Sequence, residues 1–459
     1  MIVSGYTAEE HRLDNGLLAL LLPSHEAPVV CVSVWYRAGS RDDSAGRTGI
    51  AHLLEHMLYK GTRRFPKGIY DSTLHRLGAI TNASTSFDRT NYYILATRDR
   101  YSAALDLEAD RMRGAVWSDE DFLDERSVVL NELERNEDDP DCALFDRLLA
   151  TAFRAHPYGR PVIGERREVS RLTSADLREF YDQRYQPGNA FLVIAGDFAA
   201  DEMRRAIERT FGAIPAQPFV ARSPAVEPEQ GEERRVEMRK AGGQELILAA
   251  YKAPARRAPE SYALDILAQA LGHGRTSRLY RGLVERGLAV QVGAENQTIG
   301  VDPFLFIIDI EPAPGIGFDR VAAGLDQEIA RLIEEGIRPE EMARARKRAR
   351  VDFILRRERV SLRAFLVGEC EALGSWRLAE TYLERLDAVR EEDVIAQARR
   401  FLIRDRRTWA HFLPQANWPA PERVGAGMTH QRAPAGGTPQ RAPVGRWLHR
   451  KRAGGSRDA

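Results

Sequence analysis

Cysteine is scarce in this chain: Cys31, Cys142 and Cys370 are the three in 459 residues, far apart and odd in number. That excludes a disulfide framework and a cysteine-rich metal site, and it suits a reducing compartment. Net charge is missing as well. Lys plus Arg and Asp plus Glu both total 67, so no overall field would draw the chain to nucleic acid or to an anionic membrane. Long apolar runs are absent too. The longest, from Gly16 to Leu22 and from Val29 to Trp35, are much too short to span a bilayer. Met1 to Tyr6 offers no basic stretch followed by an apolar one, so no export signal is read there. Cytoplasm is the expected location, with the periplasm as the alternative should a signal precede this start.

What is present is concentrated in five residues, His52-Leu53-Leu54-Glu55-His56. Asp42-Asp43-Ser44-Ala45-Gly46 supplies cap and turn residues before them, and Gly61 stops the stretch, so a short helix is expected. On a helix, residues i and i+4 share a face about 5–6 Å apart at Cβ. His52 and His56 would then grip one metal ion, with Glu55 at the edge of that face. Two neutral imidazoles and one further N or O donor suit zinc, with a fourth position left for water. The pattern H-x-x-E-H is the inverted zinc-protease helix, in which the carboxylate serves as general base.

A third ligand must come from another element. The acidic run from Asp119 to Glu132 has Phe122, Leu123, Val128, Val129 and Leu130 at helical spacing. Glu125 and Glu132 stand seven residues, two turns, apart and share a face. One would ligate the metal while the other orients a ligating imidazole. Spacing alone does not choose among Glu125, Glu132, Glu134 and Glu137.

The element pattern is that of an α+β fold, with strands in blocks and helices following in runs. Strands are expected within 8–37, at 79–86, 90–97 and 190–195, with helices over 101–185 and 200–210. A proline-rich polar stretch separates this from a second half with a similar plan. Strands are expected there near 235–238, 245–251, 290–298, 305–310 and 408–413. Helices are expected at 261–271 and 276–284, and long charged ones fill 317–357 and 361–401. The expected domains are 1–213 as the metal-bearing half, 214–233 as linker and 234–414 as a related half without metal. Beyond them, 415–459 reads as a disordered Pro/Gly-rich tail with basic residues Arg441, Arg446, Arg450, Lys451 and Arg452.

The runs from Gly46 to Thr62 and from Glu125 to Glu132 resemble the pitrilysin/insulinase zinc metallopeptidases, and most nearly their short, mitochondrial-processing-peptidase-like bacterial branch. The resemblance extends from about residue 8 to about residue 415. It implies two related α/β-roll halves, each an antiparallel sheet packed with helices, enclosing a cavity. The family's third ligand lies about 76 residues after the second histidine, which falls on Glu132, and its additional acidic residue falls on Glu125. Asn82, Ala83, Ser84 and Thr85 resemble the edge strand that pairs with an extended peptide substrate beside the zinc.

The expected function is therefore that of a zinc-dependent endopeptidase: His52, His56 and Glu132 hold Zn2+, Glu55 moves protons and Glu125 orients a ligand. One departure stands out. Family members that work alone carry an Arg and a Tyr in a run like Arg-Glu-x-x-Gly-Leu-Ala-Tyr, whereas here the run is Leu283-Val284-Glu285-Arg286-Gly287-Leu288-Ala289-Val290. Val284 and Val290 stand at those positions, and Arg286 is the one nearby replacement. The departure implies a homologous metal-free subunit completing a heterodimer, or else a homodimer. A non-catalytic scaffold or assembly subunit of the same fold is the alternative. No nucleic-acid or membrane partner is expected.

Overall fold

Aliphatic runs without charge make the central strands. In Val29–Tyr36 and Ala190–Gly196 almost every side chain is buried, as strands covered on both faces require. The computed structural model describes residues 8–219, 222 and 225–415. The described chain forms two sheets. The first contains β1 (Glu9–Arg12), β2 (Leu18–Pro23), β3 (Val29–Tyr36), β4 (Ile80–Thr85), β5 (Thr90–Thr97) and β6 (Ala190–Gly196), in the order β1-β2-β6-β3-β5-β4. The second contains β7 (Arg234–Ala241), β8 (Leu246–Ala253), β9 (Ala289–Gln297), β10 (Phe304–Pro312) and β11 (Arg407–Gln415), in the order β7-β11-β8-β10-β9.

Set β1 aside and the two sheets share one topology. In each, the last strand enters between the first two, parallel to one and antiparallel to the other. In each, the middle strands pair antiparallel and leave one hairpin strand at the edge, β4 or β9. The fold is α+β, built from two related halves. The expected tail lies outside the described residues from position 416 onward, as do parts of the expected linker.

Each sheet buries one face under its own helices and the other under a helix from the opposite half. On the first sheet, Leu18, Leu20, Trp35, Phe191 and Val193 pack against Ala364 and Val367 of helix Val360–Ala372. On the second, Leu248, Ala250, Ile307 and Phe412 pack against Leu144, Leu148 and Leu149 of helix Pro140–Ala152. The first exchange depends on Gly368, where a Cβ would lie 2.2 Å from the Trp35 ring. Ion pairs across the halves add direction to this apolar contact: Arg37 with Glu371 at 2.6 Å and Arg89 with Glu369 at 3.2 Å.

The charged stretches 317–357 and 361–401 resolve into six helices, two long ones in the first stretch and four shorter ones from Val360 to Phe401. Gly336, at φ +78°, ends Phe318–Glu335, and Pro339 opens Pro339–Leu355 at a position where its missing N–H costs nothing. Val360–Ala372, Arg377–Glu380, Tyr382–Ala388 and Glu391–Phe401 follow. The helix expected over 276–284 contains a π-helical turn at Tyr280–Val284.

Beneath the first sheet's helices, Glu108 and Arg111 form a fully buried ion pair at 2.5 Å, and the guanidinium lies 4.2 Å from the Tyr92 ring centre. Removing one partner leaves the other charge buried and uncompensated. Glu108→Ala is expected to cost about 3–5 kcal/mol, read from urea unfolding midpoints; a loss below about 1 kcal/mol would contradict it.

Candidate metal centre

The helix carrying the motif is Ile50–Met57. Ile50, Ala51, Leu53, Leu54 and Met57 are buried, which turns His52, Glu55 and His56 to the opposite, half-exposed face. Its N-terminus is fixed by Asp43, whose buried carboxylate accepts hydrogen bonds from the Gly49 and Ala51 backbone N–H groups at 2.7 and 3.2 Å. Gly49 is required there: it takes φ +85°, and a Cβ would meet the Ile163 carbonyl oxygen at 2.4 Å.

The acidic helix spans Asp119–Asp138, opened by a capping box between Ser118 and Asp121. Its buried face holds Phe122, Glu125, Val129 and Leu133. The expected two-turn spacing delivers both carboxylates to the histidines. The Glu132 carboxylate stands 3.5 Å from His56 Nε2 and 3.9 Å from His52 Nε2. Glu125 meets His56 Nδ1 at 2.9 Å on the other side of the ring. The imidazole centres are 4.8 Å apart. His52, His56 and Glu132 form the one group of three such donors among the described residues with all ligand atoms within 4.8 Å of one another.

The geometry suits a metal. Ligand bonds of about 2.0–2.1 Å at tetrahedral angles separate donor atoms by about 3.3 Å, so the Nε2–carboxylate gaps of 3.5 and 3.9 Å need close by about 0.2 and 0.6 Å. The electrostatics suit one as well. Burial pulls the His56 imidazole down, but its bonds to Glu125 and Glu132 outweigh that and raise its pKa to about 10. Burial likewise pushes the Glu125 carboxyl up, yet His56 and Lys60 draw it down to about 2. This is a place where positive charge is stabilised.

Glu55 has a different environment. Burial raises its pKa, against the opposing pull of His56 and of the Thr85 hydroxyl. That hydroxyl donates to the Glu55 carboxylate at 2.5 Å. Thr85 ends β4, whose outer edge has no strand partner among the described residues. His52, Glu55, Glu132, Ala83, Ser84 and Thr85 thus border one open cleft of about 1030 Å³, including the solvent at its mouth. Asn82 lies outside it: its side chain accepts from the Ala83 N–H at 2.8 Å and faces the other side of the sheet.

Sequence reasoning did not assign two supporting contacts, at Lys60 and Arg89, while a third, at Asp43, falls within the run expected to cap the helix. Lys60 pairs with Glu125, a partner that its place one turn after His56 could have suggested. Asp43 anchors the helix start. Arg89 borders the cleft while donating to Ser84 at 2.8 Å and Asn91 at 2.7 Å. The three second-half residues also have positions, with Val284 half-buried at the end of the π-helical turn. Arg286 reaches Gln327 at 3.3 Å and Glu328 at 4.0 Å, and Val290 is half exposed on the edge strand β9.

Comparison with known proteins agrees with this architecture. The insulinase (peptidase family M16) profile matches residues 19–166, and the peptidase M16 inactive-domain profile matches residues 171–349. Helicobacter pylori has a relative named zinc protease PqqE, 33% identical over 340 residues, which cover 71% of this chain and 74% of that one. An uncharacterized zinc protease of Mycobacterium bovis is 32% identical over 378 residues, covering 81% and 86%. The crystal structure of a protease from Helicobacter pylori superposes with a TM-score of 0.84 at 28% identity, over 89% of this chain and all of that one. A chain of complex III2 from Candida albicans, 18% identical with a TM-score of 0.75, shares the fold. Among the described residues no helix is long and apolar enough to cross a membrane. With both halves matched and a relative of this identity covered over most of its length, the chain belongs to the insulinase, or pitrilysin, family of M16 peptidases.

Proposed function

We propose that the protein is a zinc-dependent endopeptidase acting on extended peptides or unfolded protein segments. The observation that carries this is the placing of His52, His56 and Glu132 around one point, with Glu55 beside them in the same cleft. His52 and His56 would bind through Nε2 and Glu132 through one carboxylate oxygen. Zinc held there would supply Lewis acidity to a water and to the scissile carbonyl.

The remaining work falls to the chain's own groups. Glu125 holds His56 Nδ1, which fixes the ring and leaves Nε2 directed at Glu132. Glu55 takes the proton from the attacking water on a carboxylate oxygen and hands it to the leaving nitrogen. Thr85 fixes the other carboxylate oxygen. The edge of β4 that has no strand partner among the described residues receives the peptide backbone by strand addition, with Ala83, Ser84 and Thr85 lining the cleft. Residues 1–213 form the catalytic half in this reading, and 234–414 border the cleft at Ile299.

The second half supplies no hydrogen-bond donor from Val284 or Val290, and Arg286 is engaged on helix Phe318–Glu335. For this reason the reading includes a homologous metal-free subunit that contributes the missing donors in a heterodimer. The scaffold alternative predicts no metal. Elemental analysis of the purified chain should give about one zinc per chain. Peptide hydrolysis should rise at least about tenfold when the metal-free homologue is added. Zinc-free, inactive protein under both conditions would favour the scaffold, and full activity from the isolated chain would remove the partner.

A further inference from the structure

The cleft at the metal lies on one face of the edge strand; a second cavity lies on the other. It is a slot of about 630 Å³, including its mouth, between the first sheet and helix Val360–Ala372 of the second half. Asn82 and Ser84 of β4, Tyr93 of β5 and Ser33 of β3 line the sheet side, and Leu362 and Phe365 line the helix side. Asn82, Tyr93 and Ser33 are register partners across three strands. The slot therefore runs inward from the open edge for about 10 Å, two interstrand spacings. Short side chains at Asn82 and Ser84 leave its mouth open, and Leu362 stands 39% exposed beside it.

Its lining is chemically distinct. None of the lining residues is Asp, Glu, Lys or Arg, whereas the metal-side cleft includes Glu55, Arg89, Glu132 and Asp146. Arg89 borders the slot, bonded to Ser84 and Asn91 of its lining and 5.0 Å from the Phe365 ring centre, but that charge is already paired with Glu369. A charged group entering the slot would lose its hydration without gaining an unpaired counter-ion. Successive side chains of an extended peptide point to opposite faces of the sheet it joins. If one residue of a peptide on the β4 edge faces the metal helix, its neighbours must face this slot.

We propose that the slot is a specificity pocket that takes an uncharged apolar side chain, Leu- to Phe-sized, from the substrate residue adjacent to the one facing the metal helix. This rests on the endopeptidase reading and adds a sequence preference to it. Helix Val360–Ala372, which the second half lends to the first, then selects the substrate as well as covering the sheet.

The test uses the zinc-loaded full chain, with its partner subunit if activity requires one. A fluorogenic peptide is varied at each position in turn through Ala, Leu, Phe and Lys. At one position, or at positions two apart, kcat/KM should favour Leu or Phe over Ala by about tenfold or more and disfavour Lys. Ser361→Trp, at the rim, should bring the Leu-to-Ala ratio there to within about twofold. Leu362→Glu, at an exposed site, should raise the Lys-to-Leu ratio at least about tenfold. Cleavage with ratios unmoved by both variants at every position would overturn the pocket and leave the endopeptidase reading standing. If the wild-type protein cleaves nothing, the hydrolase reading falls, and the same ratios are read from fluorescence polarisation of labelled peptides. Absent binding, or ratios the variants do not move, would then overturn the pocket too.

Discussion

Glu55→Gln should leave zinc bound and the fold intact while lowering peptide turnover by about 10³–10⁴-fold. Glu55 is not among the grouped ligands, so removing its charge takes nothing from the coordination sphere. Gln has the same shape and still accepts from Thr85, whose hydroxyl holds the carboxylate at 2.5 Å. What disappears is the carboxylate that, in the proposed mechanism, takes a proton from water and returns it to an amine. The lost factor corresponds to about 4–5.5 kcal/mol of barrier. Single-turnover rates at saturating peptide, beside zinc content by elemental analysis, separate this from a binding defect. A variant within tenfold of wild type would move the base elsewhere in the cleft.

Much of this site was legible in the sequence because helices convert spacing into geometry. His52 and His56 four apart, and Glu125 and Glu132 seven apart, fix which side chains share a face before any tertiary contact exists. The apolar residues between them fix which face is turned inward. Thr85 was visible as a strand residue, but its bond to Glu55 depends on how β4 lies against the helix, which no local pattern encodes. The exchange of helices Pro140–Ala152 and Val360–Ala372 was hidden for the same reason. Their apolar faces announce burial without naming the sheet they cover. The repeated order of elements along the chain was anticipated because turns and apolar runs recur in both halves, but the order of strands within each sheet was not. The division of 317–357 turned on Gly336 and Pro339, two punctuating residues inside an otherwise continuous helical pattern.

The third ligand is where sequence spacing left four candidates, and the structure separates them by position. Glu137 pairs with Arg166 at 2.9 Å, and Glu134 is exposed. Glu125 is already engaged with His56 Nδ1 and Lys60, so it steadies a ligand rather than facing both Nε2 atoms. Glu132 alone of the four is placed between the two histidines. Substituting it should therefore have a larger effect on metal than substituting Glu125. Loss of an orienting partner costs about 10–100-fold in affinity, so Glu125→Gln should fall in that range. Glu132→Gln should exceed it, because a neutral amide is a poor substitute for a carboxylate donor and the site drops to two nitrogen ligands. Stability gives an independent readout. At free zinc about 1,000 times the dissociation constant, the wild type gains about 4 kcal/mol from binding. A variant whose affinity has fallen 1,000-fold would keep about 0.4 kcal/mol at the same zinc concentration. Chelator competition and unfolding with and without zinc measure both quantities. Should Glu132→Gln match wild-type affinity while Glu125→Gln loses it, the two carboxylates would exchange roles, and His56 would have to bind through Nδ1.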